Sequence, residues 1–140
     1  MESKIIMERL QGYKSQIKKD LSELIAINSE RDLKTKGDNA PFGLGIRKCF
    51  DKMIEFANRE GFAVKDFGGY AIHIEYGDGP ETLAILGHLD TVGIYDVERW
   101  SSSPFELTEK SGHWYGRGVN DNKGPMIGCL YVLKVLREKF

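Results

Sequence analysis

The stretch TLAILGHLDTV, residues 82–92, decides the fold. Its first six residues are mostly apolar and do not alternate with polar ones, which is typical of a strand covered on both faces of a sheet. His88 and Asp90 follow directly. Open α/β sheets place ligands at the carboxyl ends of their strands. The stretch therefore predicts a central strand that delivers two polar side chains to a ligand-binding edge.

Helices are predicted on either side of this strand. Apolar residues recur at spacings of three and four in residues 6–24, which predicts a long amphipathic helix. Pro41 is expected in the first turn of a second helix that ends near Gly61. From Met126 the sequence MIGCLYVLKVL is apolar almost all round, which predicts a buried last helix.

Two hairpins complete the expected architecture. FAVKDF and YAIHIEY flank Gly68 and Gly69 and alternate with a period of two, while FELTEK and HWYG suggest two shorter strands. The pattern predicts an α/β fold, a three-layer sandwich with a mixed sheet and helices on both faces. At 140 residues, without a linker or repeat, residues 1–140 are expected to form one unit.

Charge and composition exclude several classes of protein. Twenty Lys and Arg balance twenty-one Asp and Glu, for a formal net charge of -1, so we expect neither nucleic acid nor an anionic membrane as a partner. Charges interrupt the apolar residues of the first twenty positions, unlike a signal peptide or a membrane span. The expected location is the cytoplasm.

The segment GHLDTV, which starts at Gly87, is the first candidate site. In an extended chain, residues two apart point the same way, so Asp90 can accept a hydrogen bond from one imidazole nitrogen of His88. The other nitrogen is then free for a metal, with the carboxylate fixing the tautomer. The alternative is a structural histidine beside a turn-forming aspartate.

The segment GRGVNDNKGP, which starts at Gly116, is the second candidate site. Asp121 lies in it just before the buried helix, where it could cap the helix or bind a metal. Solvated charge, pairing at a helix end and ordinary packing account for four neighbours that receive no catalytic role: Trp100, His113, Arg117 and Lys123.

Taken together, the two segments resemble the signature blocks of the M20 family of metallopeptidases, which also contains deacylases and desuccinylases. APFGLGI from Ala40, GYAIHIEYGDG from Gly69 and W-x-x-x-P-F from Trp100 are similar to its PepV-type dipeptidase branch. The resemblance implies that residues 1–140 are the N-terminal portion of a metallopeptidase catalytic domain, truncated and without the family's lid domain.

The resemblance also implies roles for three residues. His88 would bind one metal ion, Asp90 would act in catalysis by orienting His88, and Asp121 would bridge two divalent ions, which are zinc, with manganese or cobalt as alternatives. The peptide bond from Asp121 to Asn122 is expected to be cis. The complete enzyme would hydrolyse a dipeptide or short peptide through a metal-activated water.

The resemblance places the catalytic glutamate and the remaining metal ligands downstream of these residues. The isolated chain is therefore expected to bind metal weakly or not at all and to be inactive. An inactive truncated module for folding or interaction is one alternative, and a deacylase or desuccinylase of the same family is another. Surface exposed by truncation predicts a homo-oligomer.

A nucleotide-binding domain is the rival from a different class of protein. FGLGIRK from Phe42 lacks the third glycine of the dinucleotide fingerprint and does not follow a predicted strand. Lys123 precedes Gly124 where a Walker loop has Ser or Thr. Both details argue against phosphate binding.

Overall fold

The structure, a computed structural model, describes residues 2–139. Its helices are α1 (Glu2–Gly12), α2 (Lys14–Ile25), α3 (Leu44–Arg59) and α4 (Lys123–Lys139), and its strands are β1 (Ala63–Asp66), β2 (Ile72–Glu75), β3 (Thr108–Lys110) and β4 (His113–Tyr115). Short 3-10 turns cover Leu33–Thr35 and Val97–Arg99. No helix in the described part of the chain is long and apolar enough to cross a membrane. The α/β class is confirmed.

The long first helix predicted from the sequence is interrupted. α1 ends at Gly12 and α2 begins at Lys14, with Tyr13 at φ -92° and ψ 1° between them. The amide of Tyr13 bonds to the Leu10 carbonyl at 3.0 Å, a tighter turn than that of an α-helix. Glycine is the weakest helix former after proline, so Gly12 explains why the break falls here.

The second helix begins later than predicted and ends where predicted. It starts at Leu44, because Gly43 has a φ of 109° that an α-helix cannot contain, so Pro41 lies outside the first turn. At the other end Gly61 has a φ of 75°, and its amide bonds to the Asn58 carbonyl at 2.9 Å. This left-handed glycine stops α3 and turns the chain into β1.

The strands form two small antiparallel sheets in place of one mixed sheet. β1 pairs with β2 so that Val64 faces Ile74, and β3 pairs with β4. Gly68 and Gly69 make the predicted turn, both with positive φ. His73 is exposed on the outer face of β2, as the alternation predicted.

The prediction of a buried central strand in residues 82–87 is wrong for this structure. The side chains of Leu83 and Leu86 are 91% and 99% exposed, and Ile85 is 65% exposed. Strands are held by hydrogen bonds to neighbouring strands, and none of the strands within residues 2–139 pairs with this segment. Its apolar side chains therefore line an open groove beside β2 and α4.

The hydrophobic core lies among α2, α3 and α4 rather than around a central strand. α2 contributes Leu24 and Ile25, α3 contributes Phe56, and α4 contributes Ile127 and Tyr131, all at most 1% exposed. Leu89, directly after the exposed apolar segment, joins this cluster. The core therefore holds the chain next to the candidate site in place.

A buried ionic network connects the same three helices. The carboxylate of Asp20 in α2 is fully buried and receives hydrogen bonds from Arg59 at 2.6 Å and from the Tyr131 hydroxyl at 2.8 Å. Glu60 accepts bonds from Arg59 at 2.9 Å and from Lys134 at 2.6 Å. Each buried carboxylate is thereby paired with a cation, as burial requires.

Candidate metal site

The two segments singled out in the sequence meet at one point of the surface. The Nε2 atom of His88 lies 2.9 Å from the Oδ1 atom of Asp121. The Nδ1 atom of His88 lies 3.2 Å from the Asp90 carboxylate and 3.1 Å from the Asp90 carbonyl oxygen. The imidazole is thus held between two aspartates, and all three predicted site residues are brought together.

The backbone around Asp121 has the predicted conformation. The peptide bond from Asp121 to Asn122 is cis, as expected. Asn122 accepts a hydrogen bond from the His88 amide through its side-chain oxygen at 3.4 Å, and its carbonyl accepts one from Met126 in the first turn of α4. The side chain and backbone of Asn122 therefore connect the two motif segments.

Close approach of the two segments depends on Gly87. A Cβ atom at this position would overlap the sulfur of Met126 and would lie 2.7 Å from the Asn122 side-chain oxygen. Both contacts are far closer than van der Waals packing permits. A residue larger than glycine would therefore force the side chains of Met126 and Asn122 to move at the start of α4.

The arrangement of the imidazole favours a cation. A neutral imidazole carries one ring proton, yet both nitrogens of His88 face oxygen atoms. If Asp90 accepts the Nδ1 proton, the Nε2 lone pair faces the Asp121 carboxylate. A metal ion between these atoms would remove the repulsion.

The donor chemistry fits a zinc-type ion, although the pair alone does not complete a site. Imidazole nitrogen and carboxylate oxygen are ordinary zinc ligands, at about 2.0 to 2.2 Å, which separates two tetrahedral ligand atoms by about 3.3 Å. The 2.9 Å between His88 and Asp121 would open by about 0.4 Å to admit the ion. Within residues 2–139, no group of three or more His, Cys, Asp or Glu side chains could hold a metal.

A small cavity of about 190 Å³ adjoins the pair. His88, Thr91, Arg117 and Asp121 are among its lining residues. The Thr91 hydroxyl is buried and makes no hydrogen bond to another described residue, and neither does the Nε atom of Arg117. Two residues of the wall therefore carry buried polar atoms that have no partner among the described residues.

The four neighbours without an assigned role prove to have different environments. Arg117 stacks over the Trp100 ring at 5.2 Å, which is ordinary packing, and His113 is exposed in β4. Lys123, by contrast, is fully buried. Its ammonium group donates hydrogen bonds to the carbonyls of Leu24 and Ile27. Burial lowers the pKa of Lys123, and the nearby Cys49 thiol opposes that shift.

Sequence reasoning missed Lys123 and Ser29. Ser29 is fully buried, and its hydroxyl donates to the Leu89 carbonyl at 2.7 Å. Lysine and serine are mostly exposed in proteins, so residue type predicts the opposite of what is found. One available signal was the position of Lys123 within the glycine-rich segment that carries Asp121.

Comparison with known proteins gives a consistent result. Residues 84–140 match the model of peptidase family M20/M25/M40. YtjP of Bacillus subtilis strain 168, a provisionally assigned dipeptidase, is 36% identical over 89% of this chain. A provisionally assigned dipeptidase of Staphylococcus aureus strain USA300 is 41% identical over 94% of this chain. The chain spans only 27% and 28% of the length of these two curated relatives.

Two solved structures share the fold. Human carnosine dipeptidase 1 superposes with a TM-score of 0.71 at 23% identity, over 94% of this chain and 31% of its own. The di-peptidase Dug1p of Saccharomyces cerevisiae superposes with a TM-score of 0.75 at 19% identity, over 95% of this chain and 30% of its own. At such identities the likeness concerns the fold alone.

Proposed function

We propose that this chain, of which residues 84–140 match the model of peptidase family M20/M25/M40, is the N-terminal portion of the catalytic domain of a dipeptidase of that family that depends on two divalent metal ions. Residues 1–140 supply part of the metal platform in this proposal. The ions are zinc, with manganese or cobalt as alternatives.

The contact between His88 and Asp121 carries the proposal. These side chains come from segments remote in sequence, and their ligating atoms lie 2.9 Å apart at the surface. A helix-capping role for Asp121 would not require an imidazole at this distance. The carboxylate of Asp90 behind the imidazole is the usual arrangement around a metal-binding histidine.

Each of the three side chains has a separate task in the proposed site. Asp90 holds the proton on Nδ1 of His88 and so directs the Nε2 lone pair outward. Asp121 offers one oxygen on the His88 side and a second that can reach a neighbouring ion. Bound divalent ions would supply a water of lowered pKa and would polarise the scissile carbonyl.

The proposal requires further ligands from outside the described residues. Catalytic zinc sites normally have three protein ligands for each ion, more than His88 and Asp121 provide. We therefore expect the isolated 140-residue chain to bind metal weakly or not at all and to lack hydrolytic activity. The same shortage of ligands supports the alternative of an inactive module for folding or interaction.

The open apolar groove supports the interpretation as a partial domain. The chain exposes 9157 Å² of surface, about 1,800 Å² more than the roughly 7,400 Å² expected for a 15.9 kDa globular protein. Leu83 and Leu86 lie in this excess area. Further polypeptide that pairs with residues 82–87 would bury it. When such polypeptide is absent, a homo-oligomer could cover the same surface.

The relatives' names support a dipeptide or short peptide as the substrate, since both are assigned as dipeptidases. Deacylation or desuccinylation by the same family is the alternative, because a metal-activated water can hydrolyse either kind of amide bond. The cytoplasm is the proposed location.

A chimera tests the proposed activity. The matching 131 residues of this chain would replace the corresponding 28% of the Staphylococcus relative, with the unmodified relative as the positive control. We expect hydrolysis of dipeptides that a chelator abolishes, and a fall of at least about a thousandfold with His88→Ala or Asp121→Ala, because each removes a metal ligand. Exposed His73→Ala is the matched control.

Two outcomes would contradict the proposal. A folded chimera that is inactive on dipeptides while the unmodified relative hydrolyses them would favour the inactive module. Hydrolysis confined to N-acylated or N-succinylated amino acids would replace the dipeptidase assignment with a deacylase.

A further inference from the structure

Lys123 and Ser29 lie directly beneath the candidate metal site. The ammonium group of Lys123 donates to the Leu24 carbonyl at 2.9 Å and to the Ile27 carbonyl at 2.7 Å. These carbonyls belong to the C-terminal end of α2 and the chain just after it. A cation is favourable there, because the helix dipole places partial negative charge at that end.

The other half of the site is fixed to the same stretch of backbone. Ser29 donates its hydroxyl to the Leu89 carbonyl at 2.7 Å, and its own carbonyl accepts the Thr91 amide at 3.2 Å. Both bonds flank Asp90. The loop that carries His88 and the loop that carries Asp121 are thus anchored independently to residues 24–29.

Lys123 also supports the glycine-rich loop from within. A Cβ atom at Gly118 would lie 2.9 Å from the Cδ atom of Lys123, so the aliphatic stem packs against the loop backbone. The thiol of Cys49 in α3 lies near both residues, and Lys123 and Ser29 oppose the rise that burial causes in its pKa. The two anchors therefore form one buried cluster.

Packing alone does not explain a lysine at this position. Transferring an ammonium group from water to a protein interior is strongly unfavourable unless hydrogen bonds replace its hydration. A leucine or methionine would fill a similar volume without that penalty. What the lysine adds is a directed link between α2 and the start of α4, two residues after Asp121.

We propose that Lys123 and Ser29 are positioning residues, which attach the Asp121 loop and the His88 loop to residues 24–29 and thereby set the separation of the two metal-binding side chains. The inference rests on the proposed metal site. Neither residue contacts the ion, and both act by holding the ligands.

Amide hydrogen exchange of the metal-free chain, measured by NMR, tests this inference. Lys123→Met keeps the stem and removes the donor, so we expect about tenfold faster exchange at the Gly124 amide, which bonds to the Gly118 carbonyl. Ser29→Ala should instead accelerate exchange at the Thr91 amide. Val64, paired in the distant β1–β2 hairpin, should be unchanged in both variants.

Val135→Ala is the control for a general loss of stability. Val135 is fully buried in α4, about 18 Å along the helix from Lys123. The Val135→Ala substitution should lower the free energy of unfolding without selectively accelerating amide exchange at Gly124 or Thr91. In calorimetric titrations of the chimera with Zn²⁺ or Mn²⁺ alone, both anchor variants should bind about tenfold more weakly than the unmutated chimera or more, and Val135→Ala should not.

The inference is overturned if exchange at Gly124 is unchanged in Lys123→Met, or if Val135→Ala produces the same selective change. If Lys123→Met does not fold, the exchange rate of the Thr91 amide in Ser29→Ala decides, and an unchanged rate overturns the inference. An unmutated chimera that binds neither ion would count against the proposed metal site, and the exchange comparison in the chain itself would still decide the role of the anchors.

Discussion

At the scale of single residues, Asp20 contributes to stability in a way that depends on pH. Burial by itself raises the pKa of Asp20, but hydrogen bonds from Arg59, Tyr131 and Gln16 outweigh it and hold the pKa below its usual value. A carboxyl with a depressed pKa in the folded state stabilises the fold at pH values above its unfolded pKa, about 3.9. This stabilisation is lost as the pH falls through the lower, folded value.

Replacing Asp20 with Asn should therefore lower the free energy of unfolding at neutral pH by about 3 kcal/mol, since it breaks a buried ion pair. The difference from wild type should shrink below about pH 4, because only the wild-type side chain takes up a proton. Urea denaturation at pH 7 and at pH 3 measures both effects.

The control for this prediction is Asp51→Asn. Asp51 pairs with Arg47 at 2.7 Å but is 63% exposed, so its removal should change stability by less than about 1 kcal/mol. The role given to Asp20 would be contradicted if Asp20→Asn and Asp51→Asn lowered the free energy of unfolding equally. It would also be contradicted if the difference between Asp20→Asn and wild type were the same at pH 7 and pH 3.

The family resemblance of two sequence segments indicated His88, Asp90 and Asp121 as site residues, but it did not indicate that Lys123 and Ser29 lie beneath them. All three site residues lie in short segments that contain glycine. The extended geometry of the first segment predicted a hydrogen bond between His88 and Asp90. Lys123 and Ser29 bond to carbonyls distant in sequence, and no local period encodes such contacts. Buried polar residues of this kind depend on tertiary packing.

At the scale of elements, two glycines near helix ends have opposite consequences. Gly12 terminates α1 without a positive φ, and a Cβ atom there would meet nothing within 4 Å. Gly61 has a φ of 75° and closes α3. The same substitution at these positions should therefore change stability in opposite directions.

Gly12→Ala should stabilise the chain by about 0.5 to 1 kcal/mol, because alanine favours the helix and restricts the unfolded chain. Gly61→Ala should destabilise it by about 1 to 2 kcal/mol, because an L-residue is strained in the left-handed region. Thermal unfolding monitored by circular dichroism measures both changes in stability. If the two substitutions change stability in the same direction, the assignment of Gly61 as a helix cap is contradicted.

Helices were predicted better than strands for a physical reason. An amphipathic helix satisfies its backbone internally, so its period survives in the sequence, and only the boundaries at Gly12 and Gly43 differed. Residues 82–87 have the composition of a strand, but a strand exists only beside partners. In a hairpin such as β1–β2, each strand has its pairing partner close by in the sequence. Residues 82–87 have no pairing partner among the described strands.

At the scale of the whole molecule, the apolar groove determines the behaviour of the chain in solution. It combines the exposed side chains of residues 83–86 with the apolar face of β2 and part of α4. Apolar surface of this extent on one face is uncommon on monomeric proteins. It also marks where the sequence-based three-layer arrangement and the structure diverge.

The isolated chain should therefore self-associate, and Leu86→Lys should shift it toward the monomer without changing its thermal stability by more than about 0.5 kcal/mol, since Leu86 is 99% exposed. Light scattering coupled to size-exclusion chromatography measures the mass. Leu33→Lys, an exposed leucine in the Leu33–Thr35 turn, is the matched control and should not alter the association state. A monomeric wild type would refute this prediction.

Leu86 and Gly87 are adjacent in the sequence, yet the space around the two residues differs. The side chain of Leu86 is almost entirely in solvent, while a Cβ atom at Gly87 would overlap the side chains of Met126 and Asn122. A substitution at Leu86 would change only the surface that is available to a covering segment. A substitution at Gly87 would instead displace the side chains that lie between the two motif segments.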